Sequence, residues 1–121
     1  MTTITYNKAV RDRIPEIIRA SGKECTVEQV SPEKWLELLN QKLGEEVAEY
    51  QAEPSLEELA DILEVMRAIV SLRGETWEDL ERARVEKAKK RGGFEERVVL
   101  HQVVDSTTSV SSRVIPVEVK K

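Results

Sequence analysis

At 121 residues the chain has material for one domain with one modest core. Hydrophobic residues make up 40% and charged residues 35%, a globular balance, while 4% aromatics leaves Leu, Ile, Val and Ala to fill the interior. A net charge of -4 speaks against sequence-independent nucleic-acid binding, the single Cys25 excludes an internal disulfide or a cysteine zinc cage, and no apolar run reaches the length of a membrane span.

The opening stretch, MTTITYNKAVRDRI, lacks the apolar core of a secretory signal, so a cytoplasmic location is expected. It reads as a short extended piece followed by a helix. Pro15 suits a first helical turn, Ile17 and Ile18 supply apolar contacts, and Gly22 ends the helix. Residues Cys25 to Val30 alternate loosely and read as a short strand.

Ser31-Pro32-Glu33 combines a cap, a proline at the first helical position and an acid in the first turn. The helix it starts runs to about Glu53, with Leu36, Leu39, Leu43, Val47 and Tyr50 forming one apolar stripe. Pro54 stops it. Ser55 starts the next helix, with Glu58 at the third position of a Ser-x-x-Glu capping box, and that helix continues through Leu72 to Gly74. A further helix begins at Thr76 and covers Trp77 to about Arg91 before Gly92-Gly93. The very short connection at Pro54 predicts an antiparallel hairpin of the two long helices.

Beyond the paired glycines, Val98 to Val104 and Val114 to Val119 read as short strands or extended tails around a polar turn at 105–109. No repeat and no linker divides the chain, so one domain over residues 1–121 is expected, with 101–121 peripheral. The fold class is all-α: an antiparallel bundle of about four helices, with short extended or strand segments near both termini.

A helical wheel at about 100° per residue places several acids where solvated acids do not belong. On the second helix Glu46 falls at the edge of the apolar stripe, flanked by Glu49 and Lys42, whereas Glu37 and Glu45 lie further round. The third helix carries two apolar faces, Leu59, Leu63, Met66 and Val70 on one and Val65, Ala68 and Leu72 on the other. Asp61 lies within the second face and Glu58 at its edge. Two apolar faces predict cover on both sides, and hence a homodimer or larger homo-oligomer.

Residues three apart on a helix point the same way, so Glu46 with Glu49 and Glu58 with Asp61 form two pairs that a hairpin brings face to face. Four converging carboxylates repel one another, and a buried carboxylate costs several kcal/mol unless it is paired, protonated or bound to metal. Oxygen ligands suit Mg²⁺ or Mn²⁺, and magnesium completes its shell with water and substrate phosphates. Simpler readings stand beside this one: a solvated charged face, Glu58 as a capping residue, Asp61 paired with a lysine or arginine. A di-iron bundle calls for Glu-x-x-His, and the lone His101 is far from either pair.

At these residues the chain resembles a known family. Glu45-Glu46-Val47-Ala48-Glu49 followed by Glu58-Leu59-Ala60-Asp61 resembles the ExxE…ExxD signature of the MazG-like all-α nucleotide pyrophosphohydrolases. Asn7-Lys8-Ala9-Val10-Arg11-Asp12-Arg13-Ile14-Pro15 and Arg91-Gly92-Gly93-Phe94 resemble the NKLVRDxIP opening and the RGGF of its compact phosphoribosyl-ATP pyrophosphohydrolase-like branch. The resemblance covers residues 6 to 100 or so and has no counterpart for the tail.

It implies a hydrolase that cleaves an NTP or dNTP between the α and β phosphates, giving a monophosphate and pyrophosphate. By the same resemblance Glu46, Glu49, Glu58 and Asp61 hold Mg²⁺, and Glu45 orients or deprotonates the attacking water. Lys8, Arg11, Lys87 and Arg91 are the candidates to neutralise the phosphates. A homo-oligomer with a neighbouring subunit at the site is implied as well, in a nucleotide-pool house-cleaning role.

Ala9 departs from the branch's leucine, and the stretch between Glu49 and Glu58 is short. The places three and four after Asp61, where histidine-pathway enzymes carry Tyr-His, hold Glu64 and Val65, which argues against phosphoribosyl-ATP as substrate. Alternatives of other classes are a helical module that binds nucleotides without turnover, and a structural bundle.

Overall fold

The computed structural model describes residues 2–105. It contains four helices in the order α1 (Ile14–Ala20), α2 (Pro32–Ala52), α3 (Leu56–Leu72) and α4 (Trp77–Arg91). The class is all-α, with no strand among the described residues. Residues 25–30 and 98–104, expected as extended or strand segments, run without regular structure: alternation alone makes no ladder without a partner strand. Residues 114–119 lie outside the described part.

Local chemistry explains the helix boundaries. Ser31 Oγ accepts the Lys34 N–H at 3.2 Å to open α2, with Pro32 at the first helical position. Ser55 Oγ accepts the Glu58 N–H at 3.1 Å to open α3. Thr76 and Asp79 cap α4 reciprocally: the Asp79 N–H donates to Thr76 Oγ1 at 3.0 Å, and the Thr76 N–H donates to Asp79 Oδ2 at 2.9 Å. Gly22 follows α1 at φ +91°, in the left-handed region.

The chain divides into two units, Met1–Ala83 and Arg84–Lys121, with the boundary inside α4. In the first unit α2 packs on α3, and the three residues 53–55 between them force the pair antiparallel. No other pair of the four helices packs closely along its length among the described residues, so the element holding the candidate site is a helical hairpin. The first turns of α4 (Leu80, Ala83) line an open cleft of about 440 Å³ with Leu43, Met66, Ile69 and Val70. The Arg67 guanidinium lies 5.1 Å from the centre of the Trp77 ring, which ties α4 to α3. In the second unit the described part of α4 ends in Lys89, Lys90 and Arg91, a basic last turn that suits the helix dipole.

Burial is sparse. Among the described residues only Ala9, Leu39 and Val65 are buried apolar side chains. Val65 identifies the face of α3 that meets α2, the one that also carries Asp61 and Glu58. Val65 is buried in the hairpin, while on the opposite face Leu56 is 82% exposed and Leu59 and Leu63 are 45% exposed.

Candidate metal centre

The site grows out of the hairpin. Glu46 stands on α2 one turn after Lys42, and with 5% exposure it is the buried charged residue among the described residues. Its Oε2 is 3.3 Å from Lys42 Nζ, an i,i+4 pair. Across the hairpin, Glu58 and Asp61 occupy successive turns of α3. Glu46, Glu58 and Asp61 each bring a carboxylate oxygen within 4.8 Å of the others. Three of the four expected ligands therefore meet.

Glu49 is exposed and stands outside this group. Its charge nevertheless acts on the Glu58 carboxyl, more strongly than any other charge. The Glu58 carboxyl is pushed above the usual carboxylate range, first by loss of hydration and then by Glu49, Asp61, Glu46 and Glu53 in turn. Its Oε1 is sealed from solvent and has no hydrogen-bond partner. The capping box is thus half made: Ser55 caps the Glu58 N–H, while this Glu58 oxygen is left unsatisfied among like charges.

Cations hold the neighbouring acids. Arg11 Nη2 donates to Asp61 Oδ1 at 2.6 Å. Lys8 Nζ is 3.7 Å and Lys42 Nζ 3.9 Å from the same oxygen of Glu45, which sits part-buried beside the cluster. The structure brings Lys8 and Arg11 to the acids themselves. Lys87 and Arg91 are exposed on the part of α4 that belongs to the second unit.

A hard divalent cation suits this donor set. The cluster is all oxygen, one oxygen is orphaned, and like-charge repulsion is relieved by positive charge at one place only in part, since no ion pair reaches Glu58 Oε1. Sequence reasoning left two contributors unassigned. Lys42 pairs with Glu46 at the i+4 spacing that could have marked it, and Glu53, four residues after Glu49, adds to the field on Glu58.

No protein-family model matches the chain, and no solved structure matches it. It is similar to an uncharacterised protein of Mycolicibacterium smegmatis, 51% identical over 43 residues. The match takes in 36% of this chain and 44% of that relative, less than half of its length.

Proposed function

We propose that the chain is a Mg²⁺-dependent nucleoside triphosphate pyrophosphohydrolase of the MazG-like kind, acting on an NTP or dNTP in the cytoplasm as a nucleotide-pool house-cleaning enzyme. The observation that carries the reading is the unpartnered Oε1 of Glu58, whose carboxylate clusters with those of Asp61 on the same helix and Glu46 across the hairpin. Glu46, Glu58 and Asp61 would hold the ion, with Glu49 extending the set; Mn²⁺ satisfies the same ligands. When bound, the ion supplies positive charge for the triphosphate and for the charge that develops at the α-phosphorus.

The chain's own groups do the rest. Glu45, beside Glu46 and held by two lysines, orients the attacking water and takes its proton. Lys8 and Arg11 lie at the acids and neutralise the leaving pyrophosphate. Lys87 and Arg91 enter the reading through their spacing, four apart on one face of α4. Val65 is buried in the hairpin and Glu64 is exposed, so the Tyr-His pair of a phosphoribosyl-ATP enzyme has no counterpart at these places.

The bare face of Leu56, Leu59 and Leu63 calls for cover, and a second copy of the hairpin would complete a four-helix bundle. A second reading, a module that binds nucleotides without turnover, is favoured by one observation: Arg11 and Lys42 already neutralise two of the three clustered acids.

Pyrophosphate release from common and modified NTPs and dNTPs, with and without Mg²⁺, tests the proposal in the wild type and in Glu49→Ala and Asp61→Ala. Metal-dependent release that both variants lose is expected. Metal-independent release, or full activity in both variants, sinks the assignment. Nucleotide-induced stabilisation without pyrophosphate release favours the module.

A further inference from the structure

The N-terminal segment before α1 is fixed to the acid cluster at several points. Asn7 adopts φ +49°, a left-handed conformation that asparagine tolerates better than most residues. Ala9 follows and is 3% exposed, so its methyl anchors the segment. On either side of this anchor Lys8 reaches Glu45 on α2 and Arg11 reaches Asp61 on α3. The segment thus straps both arms of the hairpin, at the proposed base Glu45 and at the proposed ligand Asp61. A turn then leads into α1, the Ile14 N–H donating to the Arg11 carbonyl at 3.1 Å.

We propose that Arg11 and the divalent cation are alternative partners of Asp61, so that metal binding releases the strap's charged end while Ala9 keeps its root in place. The inference rests on the metal reading given above. Asp61 Oδ1 is an oxygen of an all-carboxylate cluster, and a guanidinium donates to it at 2.6 Å. A hard cation drawn to the cluster places a second positive charge on the same carboxylate. The two cations repel, and the one on a flexible stem gives way. Arg11 can do so because its side chain is 55% exposed and no other ion pair is seen for it among the described residues. The released guanidinium stays at the mouth of the cluster, where its fork of donors matches a phosphate as well as it matched the carboxylate. Arg11 is in this way a positioning residue for the empty site and a phosphate ligand for the loaded one.

The test uses the full chain and two readouts other than activity. Calorimetric titration with Mn²⁺ compares the wild type with Arg11→Ala and with Arg13→Ala, the latter losing the same charge from a pair with Glu16 at 3.0 Å away from the cluster. Removing the competitor is expected to tighten Mn²⁺ binding about 2- to 5-fold, the size of one exposed ion pair, in Arg11→Ala alone. The Arg11 side-chain N–H resonance in ¹H–¹⁵N spectra is expected to move toward that of a solvated guanidinium in the wild type on adding Mg²⁺, while the Arg13 side-chain resonance stays in place. If the wild type binds Mn²⁺ but Arg11→Ala binds it no more tightly, or Arg13→Ala tightens it equally, the strap is overturned and the metal site stands. An Arg11 side-chain resonance that does not move on metal addition overturns the strap likewise. If the wild type binds neither ion, the metal reading falls and takes the strap with it.

Discussion

The Arg11 guanidinium bonds the Asp61 carboxylate at 2.6 Å across 50 positions of sequence, joining an irregular N-terminal segment to the second helix of the hairpin. Asp61 therefore has two duties. It anchors the N-terminal segment, and it supplies one of three carboxylates that converge between α2 and α3.

Asp61→Asn separates the two duties. The lost ion pair is exposed and is worth about 1 kcal/mol at most, so the fold should survive with little change in its thermal midpoint. Pyrophosphate release should fall by about 100-fold or more, since even outer partners of metal ligands are worth 10- to 100-fold. Thermal melting and an initial-rate assay on the same preparation check both halves.

Glu58→Gln should raise the stability of the metal-free protein at neutral pH. The native carboxyl is held above the usual carboxylate range by lost hydration and by Glu49, Asp61, Glu46 and Glu53, so ionising it works against the fold. The same substitution should abolish most of the rise in melting temperature that Mg²⁺ gives the wild type. Melts in EDTA and in Mg²⁺ decide this. A variant less stable than wild type in EDTA would mean that Oε1 has a partner.

Asp79 predicts an acid limb to the stability profile. The Thr76 backbone N–H, the Thr76 side chain and Arg82 hold its carboxyl below the usual carboxylate range. A lowered native value means that the stabilisation is complete above the unfolded carboxylate range and is lost as pH falls through the native value. Asp79→Asn should flatten that limb in a pH series of denaturant melts by lowering the stability at neutral pH, with little change at the acid end. Thr76→Ala removes the cap from the other side and should cost about 1 kcal/mol.

Leu59→Glu and Leu63→Glu place a charge on the bare face of α3, whose residues are 45% exposed at both positions. Under the dimer reading each variant should sediment as a monomer while the wild type sediments as a dimer or larger. A wild type that is monomeric at micromolar concentration rules out cover by a second copy.

Much of this was legible in the sequence. Ser31-Pro32, Pro54-Ser55 and Thr76 mark helix limits through local hydrogen bonding, and α2, α3 and α4 begin where those residues say. Glu46 and Asp61 were recognisable because each interrupts an apolar face, and both lie against the hairpin partner. The strand expected at 25–30 rested on alternation alone, which does not supply a pairing edge. The two faces of α3 could not be ranked, since both are apolar along their length and only the packing of α2 chooses between them. The Arg11–Asp61 pair was one of several open pairings, because nothing local selects a partner at that separation.

The three-residue link between α2 and α3 has a kinetic consequence. It keeps Glu46 and Asp61 only fifteen positions apart in the chain, so closing the hairpin needs a short search and should come early in folding. The acids then meet in the transition state, where their mutual repulsion slows the forward rate before the rest of the molecule has formed. Divalent cations should accordingly steepen recovery from denaturant in stopped-flow refolding, accelerating the refolding arm of the chevron more than they retard the unfolding arm. An effect confined to the unfolding arm would place hairpin closure late.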